Sequence, residues 1–337
     1  MPTTKVTANQ VARKAGVSQS AVSRTFTPGA SISVDLREKV ERAARELKYR
    51  PNVLAQAMIT GRSRIIGLVV AYLDNQFYPE AIEKLSVALQ EQGYQVLVFM
   101  GVSTVGDLEH VIDEILSFQV DGIILASVSL TSNLAQLCDN HGIPVVLFNR
   151  DQDDDRLCAV TADNYGGGKL IAQHLVAGGH ERFGYIAGFE GATTQRERER
   201  GFRDGLAEAG ADIAFREVGG FTYAGARAAA LEMFTGGDRP DAVFVCNDHM
   251  AFAVMDVLRL KLGLRVPGDV SVAGFDDVPI AAWPSFDLTS YRQPINQMVD
   301  RTVLAMLARI DNPDAAPVKA SVEGRLILRG STRKEGS

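Results

Sequence analysis

The sequence of 337 residues contains few cysteines and no long apolar run. Its three cysteines, Cys138, Cys158 and Cys246, lie far apart without a Cys-x-x-Cys pair, which argues against a disulfide framework and a cysteine-based zinc site. No stretch approaches the roughly 18 consecutive apolar residues that a membrane span needs. The first residues also lack the apolar segment of a secretory signal. We therefore expect a cytoplasmic protein with no membrane partner.

The sequence also lacks the motifs of several enzyme classes. Residues 166–168 are glycines followed by Lys169 and Leu170, so the Ser or Thr and the preceding glycine of a phosphate-binding P-loop are missing. The sequence contains neither the Gly-x-Ser-x-Gly motif around the nucleophile of α/β-hydrolases nor the His-Glu-x-x-His motif of zinc metalloproteases. The five histidines lack metal-ligand spacing, and the acidic run at 151–155 lacks the turn glycine of a calcium loop. These absences predict that the protein is not an enzyme and uses neither metal nor cofactor.

Charge is distributed unevenly along the chain. Residues 1–64 contain twelve Lys and Arg against four Asp and Glu, a formal charge of +8. Because the whole chain carries a formal charge of -6, the remaining residues carry -14. A cationic head on an anionic body favours contact with a polyanion at the head alone. A basic surface exposed to solvent is the alternative on charge alone.

The first fifty residues have the pattern of three short helices. Thr7 and Gln10 form a capping box at the start of the first helix, which we expect to end at Gly16 in a left-handed turn. Ser18 is placed to cap the second helix, and Ser33 to cap a third whose apolar residues keep helical spacing. Two short helices joined by a tight turn predict a helix-turn-helix.

In a helix-turn-helix the second helix enters the major groove, where side chains near its N-terminus meet base edges. Those side chains are Gln19 and Ser20, with Arg24 one turn further on. A Gln side chain can bind adenine through two hydrogen bonds, and an Arg side chain can do the same to guanine. The alternative is a three-helix domain that uses this surface for protein contacts.

From residue 65 onwards, apolar runs alternate with segments of helical spacing. Continuous apolar runs are typical of buried parallel strands, and repeated strand–helix units indicate doubly wound parallel sheets. The units are too many for one sheet, so we predict an α/β body of two similar lobes. The predicted strands lie at residues 65–70, 96–99, 122–125, 145–148, 183–186, 242–245 and 270–273. The predicted helices lie near residues 78–92, 107–118, 167–176, 196–208, 223–234 and 250–260.

Ligands of such sheets bind beyond the carboxyl ends of the strands, which in a two-lobed protein means the cleft. Alternatives remain open: Asp276 could cap the following segment, Phe77 and Phe221 could belong to the core or a lid, and Arg198 could lie on a solvated helix face. The polar and aromatic residues at the strand ends are Asp74, Asn75, Gln76, Phe77, Asn149, Arg150, Asn247, Asp248, Asp276 and Asp277.

Three segments of the head together show a family resemblance. Residues 11–18 (VARKAGVS), 21–24 (AVSR) and 47–52 (LKYRPN) resemble, in order and spacing, the head of the lactose-repressor (LacI/GalR) family of bacterial transcription regulators. In the body, the segment GFDD at residues 274–277 and Arg198, three residues before Gly-Phe, also match the family. The resemblance thus extends over nearly the whole chain.

The resemblance implies a fold and a domain organisation. An N-terminal three-helix head would be joined by a hinge helix to a body similar to periplasmic sugar-binding proteins, and the protein would be a homodimer. The polar C-terminal tail has no heptads, so we expect no tetramer through a coiled coil. The implied ranges are 1–50 for the head, 51–64 for the hinge helix and linker, 65–337 for the body, about 65–161 with 293–320 for its first lobe, and about 162–292 with 321–331 for its second.

The resemblance also implies which residues contact DNA. In this family the hinge helix inserts an apolar side chain into the minor groove, and Met58 stands at that position where Leu is usual. Methionine is an accepted minor-groove wedge, whereas the alternative is that Met58 packs against its own core. The implied DNA contacts are Ser18, Gln19, Ser20, Ser23, Arg24, Asn52, Ala55 and Met58.

The implied ligand of the cleft is a small effector. Paired Arg and Asp side chains with an aromatic ring suit a sugar or polyol, although a nucleoside would also fit. We predict a sequence-specific transcriptional repressor that binds a pseudo-palindromic operator in double-stranded DNA under control of this metabolite. A secreted solute receptor would need an export signal and no basic head. The implied effector contacts are Phe77, Asn149, Arg150, Arg198, Phe221, Asn247 and Asp276.

Overall fold

A computed structural model describes residues 6–27, 30–49, 62–71, 73–101, 108–126, 132–152 and 154–334. The chain divides into two compact units, Met1–Ile65 with Gln119–Asp121, and Ile66–Phe118 with Gly122–Ser337. The predicted hinge helix, with Asn52, Ala55 and Met58, lies outside the described residues. Within the described ranges, no helix is long and apolar enough to cross a membrane.

The first unit contains three helices around a small apolar core. The helices are α1 (Ala8–Ala15), α2 (Gln19–Thr25) and α3 (Val34–Leu47). They place apolar side chains on their facing sides at helical spacing, as the sequence predicts. The buried core consists of Val11, Ala12, Val22, Val40, Ala43 and Ala44.

The ends of these helices show which caps form. The backbone N–H of Thr7 donates to Gln10 Oε1 at 2.8 Å, and Gly16 adopts a left-handed φ of +68°, so both ends of α1 are confirmed. The Ser18 hydroxyl accepts from the backbone N–H of Ala21 at 3.2 Å and caps α2. Ser33 occupies the N-cap position of α3, but its side chain makes no capping hydrogen bond, so that predicted cap is wrong.

The body contains two six-stranded sheets. In the first the strand order is β11-β5-β4-β3-β1-β2, with parallel pairs β1–β3, β3–β4, β4–β5 and β5–β11. In the second the order is β12-β10-β9-β8-β6-β7, and only the pair β10–β12 among the described strands of this sheet is antiparallel. The strands are β1 (Ile65–Val70), β2 (Gln95–Met100), β3 (Gly122–Ala126), β4 (Val145–Phe148), β5 (Cys158–Ala162), β6 (Phe183–Ala187), β7 (Ile213–Val218), β8 (Ala242–Val245), β9 (Ser271–Asp276), β10 (Thr289–Arg292), β11 (Lys319–Val322) and β12 (Arg325–Ile327).

Helices follow most of these strands, which gives the doubly wound α/β architecture that the sequence predicts. The pairs β4–β5, β9–β10 and β11–β12 follow one another without an α-helix between their described residues. We call the part built on the first sheet lobe 1 and the part built on the second sheet lobe 2. The chain passes between the sheets after β5, after β10 and between β11 and β12. The helices are α4 (Phe77–Glu91), α5 (Leu108–Ser117), α6 (Ser132–Asn140), α7 (Asn164–Ala177), α8 (Thr193–Ala207), α9 (Tyr223–Thr235), α10 (Asp248–Asp256) and α11 (Ile295–Asp311).

The glycine-rich segment at residues 166–168 lies inside α7 and packs against α8. A Cβ at Gly168 would overlap the backbone carbonyl of Arg198, and a Cβ at Gly201 would overlap the backbone carbonyl of Tyr165. The two helix backbones therefore meet directly, because only glycine leaves this space empty. This packing explains Gly168 without a phosphate ligand, and it fixes the position of α8, which bears Arg198.

Candidate ligand-binding cleft and DNA-binding surface

Polar side chains from both lobes converge beyond the carboxyl ends of the strands. They line a cleft in which the space free of atoms, together with the solvent at its mouth, amounts to about 400 Å³. Because both sheets direct the carboxyl ends of their parallel strands here, residues distant in sequence become neighbours. The side chains that line it are Asn75, Tyr78 and Asn149 from lobe 1, and Thr194, Arg198, Phe221, Asn247 and Asp276 from lobe 2.

The side chain of Arg198 is held in the cleft by several contacts and is only 3% exposed. Its Nε donates to Asn164 Oδ1 at 2.8 Å, and its Nη1 donates to the backbone carbonyl of Cys246 at 2.7 Å. The guanidinium lies 3.7 Å from the ring centroid of Phe275, a cation–π geometry. Nη2 lies 3.7 Å from Asp276 Oδ1. The arginine is thus held in place before any ligand arrives.

Asp276 ends β9 with a φ of +118°, which is unusual for a residue with a side chain. Its Oδ1 accepts from Gln293 Nε2 at 2.6 Å. Burial raises the pKa of Asp276 to about 6, although Arg198 and hydrogen bonds from Gln293 and Asn75 oppose that rise. The carboxylate is therefore ionised at neutral pH and loses its charge in mild acid.

Asp248 and Asp277 lie behind the lining and hold it in place. The Asp248 carboxylate accepts from the Ser290 hydroxyl at 2.6 Å and from the backbone N–H of Val278 at 3.0 Å. Burial, together with the charge of Asp276, raises the pKa of Asp248 well above its usual range. The Asp277 carboxylate accepts from Nε of Arg292 at 2.5 Å. These bonds tie the end of β9 to α10 and β10.

Lobe 1 contributes amide and hydroxyl groups to the cleft. Asn75 Oδ1 accepts from the backbone N–H of Phe77 at 3.1 Å, which orients the Asn75 side chain at the start of α4. Asn149 adopts a φ of +56° at the end of β4 and donates from Nδ2 to the Tyr78 hydroxyl at 3.3 Å. Asn149 Oδ1 is buried and has no hydrogen-bond partner among the described residues. It is an acceptor that a ligand donor could satisfy.

The structure brings together five of the seven predicted effector residues: Asn149, Arg198, Phe221, Asn247 and Asp276. The other two, Phe77 and Arg150, do not line the cavity. Phe77 is 3% exposed and stacks on Phe148 at a ring distance of 6.2 Å, so it belongs to the core of lobe 1.

Three lining residues are not among the predicted effector contacts. Asn75 follows the end of a strand, whereas Tyr78 lies in the first turn of α4 and Thr194 at the start of α8. A signal for Tyr78 and Thr194 exists in the sequence, because the first turn of a helix that follows a strand faces the same cleft.

The second predicted surface is formed by α2 and its N-cap residue Ser18. Ser18, Gln19, Ser20 and Arg24 are exposed, and Ser23 is half-buried. Arg24 Nε donates to the backbone carbonyl of Ser20 at 3.4 Å, which places its guanidinium along the exposed side of α2. This arrangement exposes polar and cationic groups on α2, as major-groove reading requires.

A helix-turn-helix head and a two-lobed body with a polar cleft define a ligand-controlled DNA-binding regulator. Residues 7–52 match the family described as bacterial regulatory proteins, lacI family, and residues 172–332 match the periplasmic binding protein-like domain. The chain is 34% identical over 334 residues to the HTH-type transcriptional regulator CelR of Thermobifida fusca, covering 96% of this chain and 98% of that one. The chain therefore belongs to the LacI family, and it is a transcriptional repressor rather than an enzyme.

Other relatives and solved structures agree. The chain is 31% identical to the HTH-type transcriptional repressor PurR of Vibrio vulnificus, covering 97% of this chain and 99% of that one. A structure of a CelR–cellobiose complex has a TM-score of 0.74 at 32% identity, covering 97% of this chain and 100% of that chain. The Lac repressor dimer bound to operator and the anti-inducer ONPF has a TM-score of 0.86 at 26% identity, covering 98% and 99%.

Proposed function

We propose that this repressor binds a neutral sugar or polyol in the cleft between its lobes. The observation that supports this class is the charge balance of the lining. Of the eight lining residues, only Arg198 and Asp276 are charged, and they face each other. The rest offer amides, hydroxyls and the Phe221 ring, which suit the hydroxyl groups and apolar face of a sugar.

Two relatives support the same class. One solved structure contains CelR with cellobiose, and another relative is the ribose operon repressor of Escherichia coli, 28% identical over 331 residues. The predicted effector contacts Asn149, Arg198, Phe221, Asn247 and Asp276 are part of this proposal, with Asn75, Tyr78 and Thr194 added from the structure.

The proposal assigns operator binding to the head. A homodimer in the cytoplasm would place two heads, residues 1–50, on the half-sites of a pseudo-palindromic operator. The proposed DNA contacts are those of α2 and of the hinge, including Met58. Residues 51–64 would form the hinge and linker, and residues 65–337 the effector-binding body with the lobe ranges given above.

A thermal-shift screen tests the effector class. The full chain is heated with glucose, cellobiose, ribose, glucose 6-phosphate, adenosine or guanine, each at millimolar concentration. A ligand that binds only the folded protein raises the melting temperature. We expect a rise with at least one neutral saccharide. A rise with the phosphorylated sugar or the purine alone would contradict the proposed class.

Effector affinity is expected to fall as the pH falls from 7 to 5. Burial raises the pKa of Asp276 to about 6, so acid replaces the carboxylate acceptor with a neutral carboxyl. For one group that must be ionised, this titration weakens binding about tenfold over the two pH units. Isothermal titration of the bound saccharide at both pH values measures the change. Asp276→Asn should bind the saccharide more weakly at pH 7, and its affinity should not depend on pH. If its affinity fell with pH as steeply as that of the wild type, Asp276 would not be the source of the pH dependence.

Replacing Arg24 with alanine is expected to weaken operator binding by about 1–3 kcal/mol and to relax the preference at one base pair. The reason is that an arginine bound to guanine through two hydrogen bonds discriminates against the other bases. Fluorescence anisotropy with the operator and with single-base variants measures both effects. Lys39→Ala, on α3 and outside the reading helix, serves as the charge-matched control. If Arg24→Ala discriminated between bases like wild type, Arg24 would not read a base pair of the operator.

A further inference from the structure

The carboxylate of Asp121 lies immediately before β3 and binds the segment that precedes β1. Its Oδ1 accepts from the backbone N–H of Ser63 at 2.8 Å and from the Ser63 hydroxyl at 2.9 Å. Its Oδ2 accepts from the backbone N–H of Arg64 at 3.0 Å. A fourth bond joins the backbone N–H of Asp121 to the Ile65 carbonyl at 2.8 Å. We call Ser63, Arg64 and Asp121 the linker clasp.

The backbone of the linker clasp is shaped to hold this anion. Arg64 adopts a φ of +57°, in the left-handed region that side chains disfavour, and Ser63 is only 4% exposed. A left-handed residue turns successive N–H groups towards one point, which forms a small anion-binding concavity. Here the anion is the protein's own carboxylate. The fit of three donors to one carboxylate fixes the direction of the chain at Ser63.

The position of the linker clasp in the sequence suggests its task. Ser63 and Arg64 are the last residues of the segment 51–64 proposed as hinge and linker, and Asp121 directly precedes β3, which pairs with β1 from Ile66↔Gly122 onwards. The end of the linker is thus tied to two adjacent strands of the first sheet rather than to one. We propose that Asp121 is a positioning residue that transmits movement of lobe 1 to the hinge. This inference rests on the proposed control of operator binding by an effector.

The test compares operator binding by the full chain with and without a saccharide. The saccharide is whichever of glucose, cellobiose and ribose gives the largest thermal shift, and the ratio of the two operator dissociation constants measures coupling. In Asp121→Ala we expect this ratio to lie about tenfold closer to one than in the wild type, which means that the saccharide changes operator binding less. Saccharide affinity, measured by isothermal titration, should stay within about twofold of wild type, since Asp121 is not part of the cleft lining.

Graded variants keep the test valid if Asp121→Ala folds poorly. Ser63→Ala removes one of the three bonds to the carboxylate, and Asp121→Asn keeps an acceptor oxygen, so both should show intermediate coupling. Asp113→Ala, at an exposed position of α5, is the matched control and should couple like wild type. The proposal would be overturned if Asp121→Ala and Ser63→Ala both coupled like wild type. It would also be overturned if these variants lost saccharide affinity by the same factor as coupling. If no saccharide alters operator binding by the wild type, the proposed function itself fails.

Discussion

Arg198→Met is expected to weaken effector binding by about 3 kcal/mol, roughly a hundredfold, and to abolish the effect of the ligand on operator binding. Arg198 is buried, donates to Asn164 and to the Cys246 carbonyl, and faces Asp276. Methionine fills similar space but leaves the partner oxygens without a donor and Asp276 without its nearby positive charge. The loss therefore combines a missing ligand contact with a disordered cleft. Isothermal titration of the saccharide measures the affinity.

The matched control for this variant lies on the same helix. Arg200 is exposed, with its guanidinium 4.9 Å from the ring centroid of Tyr165, outside the cleft lining. Arg200→Met should bind the saccharide like wild type. Operator affinity without saccharide should also be retained in Arg198→Met, since the head is unchanged. If Arg198→Met bound the saccharide with wild-type affinity, Arg198 would not be part of the effector site.

Gly201→Val is expected to destabilise the protein by at least about 3 kcal/mol and to lower the melting temperature by roughly 10 °C. A side chain at Gly201 would overlap the Tyr165 carbonyl, so α7 and α8 could not keep their contact. The added carbon atoms meet rigid backbone rather than a flexible side chain, so a small shift cannot relieve the overlap. Thermal unfolding followed by circular dichroism measures the change.

Gly237→Val is the control for that experiment. Gly237 also lies in lobe 2, but a Cβ added there would meet no described atom within 4 Å, and its φ is not left-handed. We expect its melting temperature to stay within a few degrees of wild type. Equal destabilisation by both variants would mean that the loss reflects valine in place of glycine in general, and not the contact between α7 and α8.

The parts of the fold that local patterns determine could be predicted from the sequence. The capping box at Thr7 and the left-handed turn at Gly16 require only nearby residues, and both form. The central strands β1, β3, β4 and β8 are continuous apolar runs, as expected of parallel strands that are buried on both faces. The doubly wound architecture follows because most of these runs, such as β1, β3 and β8, are followed by a helix.

Several elements were missed. No predicted helix or strand covered α6, α11, β5, β7, β10, β11 or β12. The strand β7 lies at the edge of its sheet with alternate residues half-buried and exposed, and includes Arg216 and Glu217, so it lacks the apolar run that identified the central strands. The helix α11 does keep its buried residues Met298, Val299, Val303 and Met306 at helical spacing, so the sequence contained a signal for it that the prediction did not use.

The candidate site could be predicted only in part. The strand-end rule locates residues directly after a strand, such as Asn149 and Asn247, because their position follows from the chain order. It cannot determine which of two neighbouring aromatic residues faces the cleft. Phe77 turns into the core beside Phe148, whereas Tyr78 presents its hydroxyl to Asn149. Such choices depend on packing across the lobe, which local sequence does not encode.

The central claim is that occupancy of the cleft controls operator binding, and a pair of titrations tests it directly. Operator affinity is measured without and with saturating saccharide, and saccharide affinity without and with operator. If the two sites are coupled, each ligand must change the affinity for the other by the same factor, whichever its direction. We predict equal factors of at least about fivefold. An operator affinity that stays the same while the saccharide occupies the cleft would contradict the account.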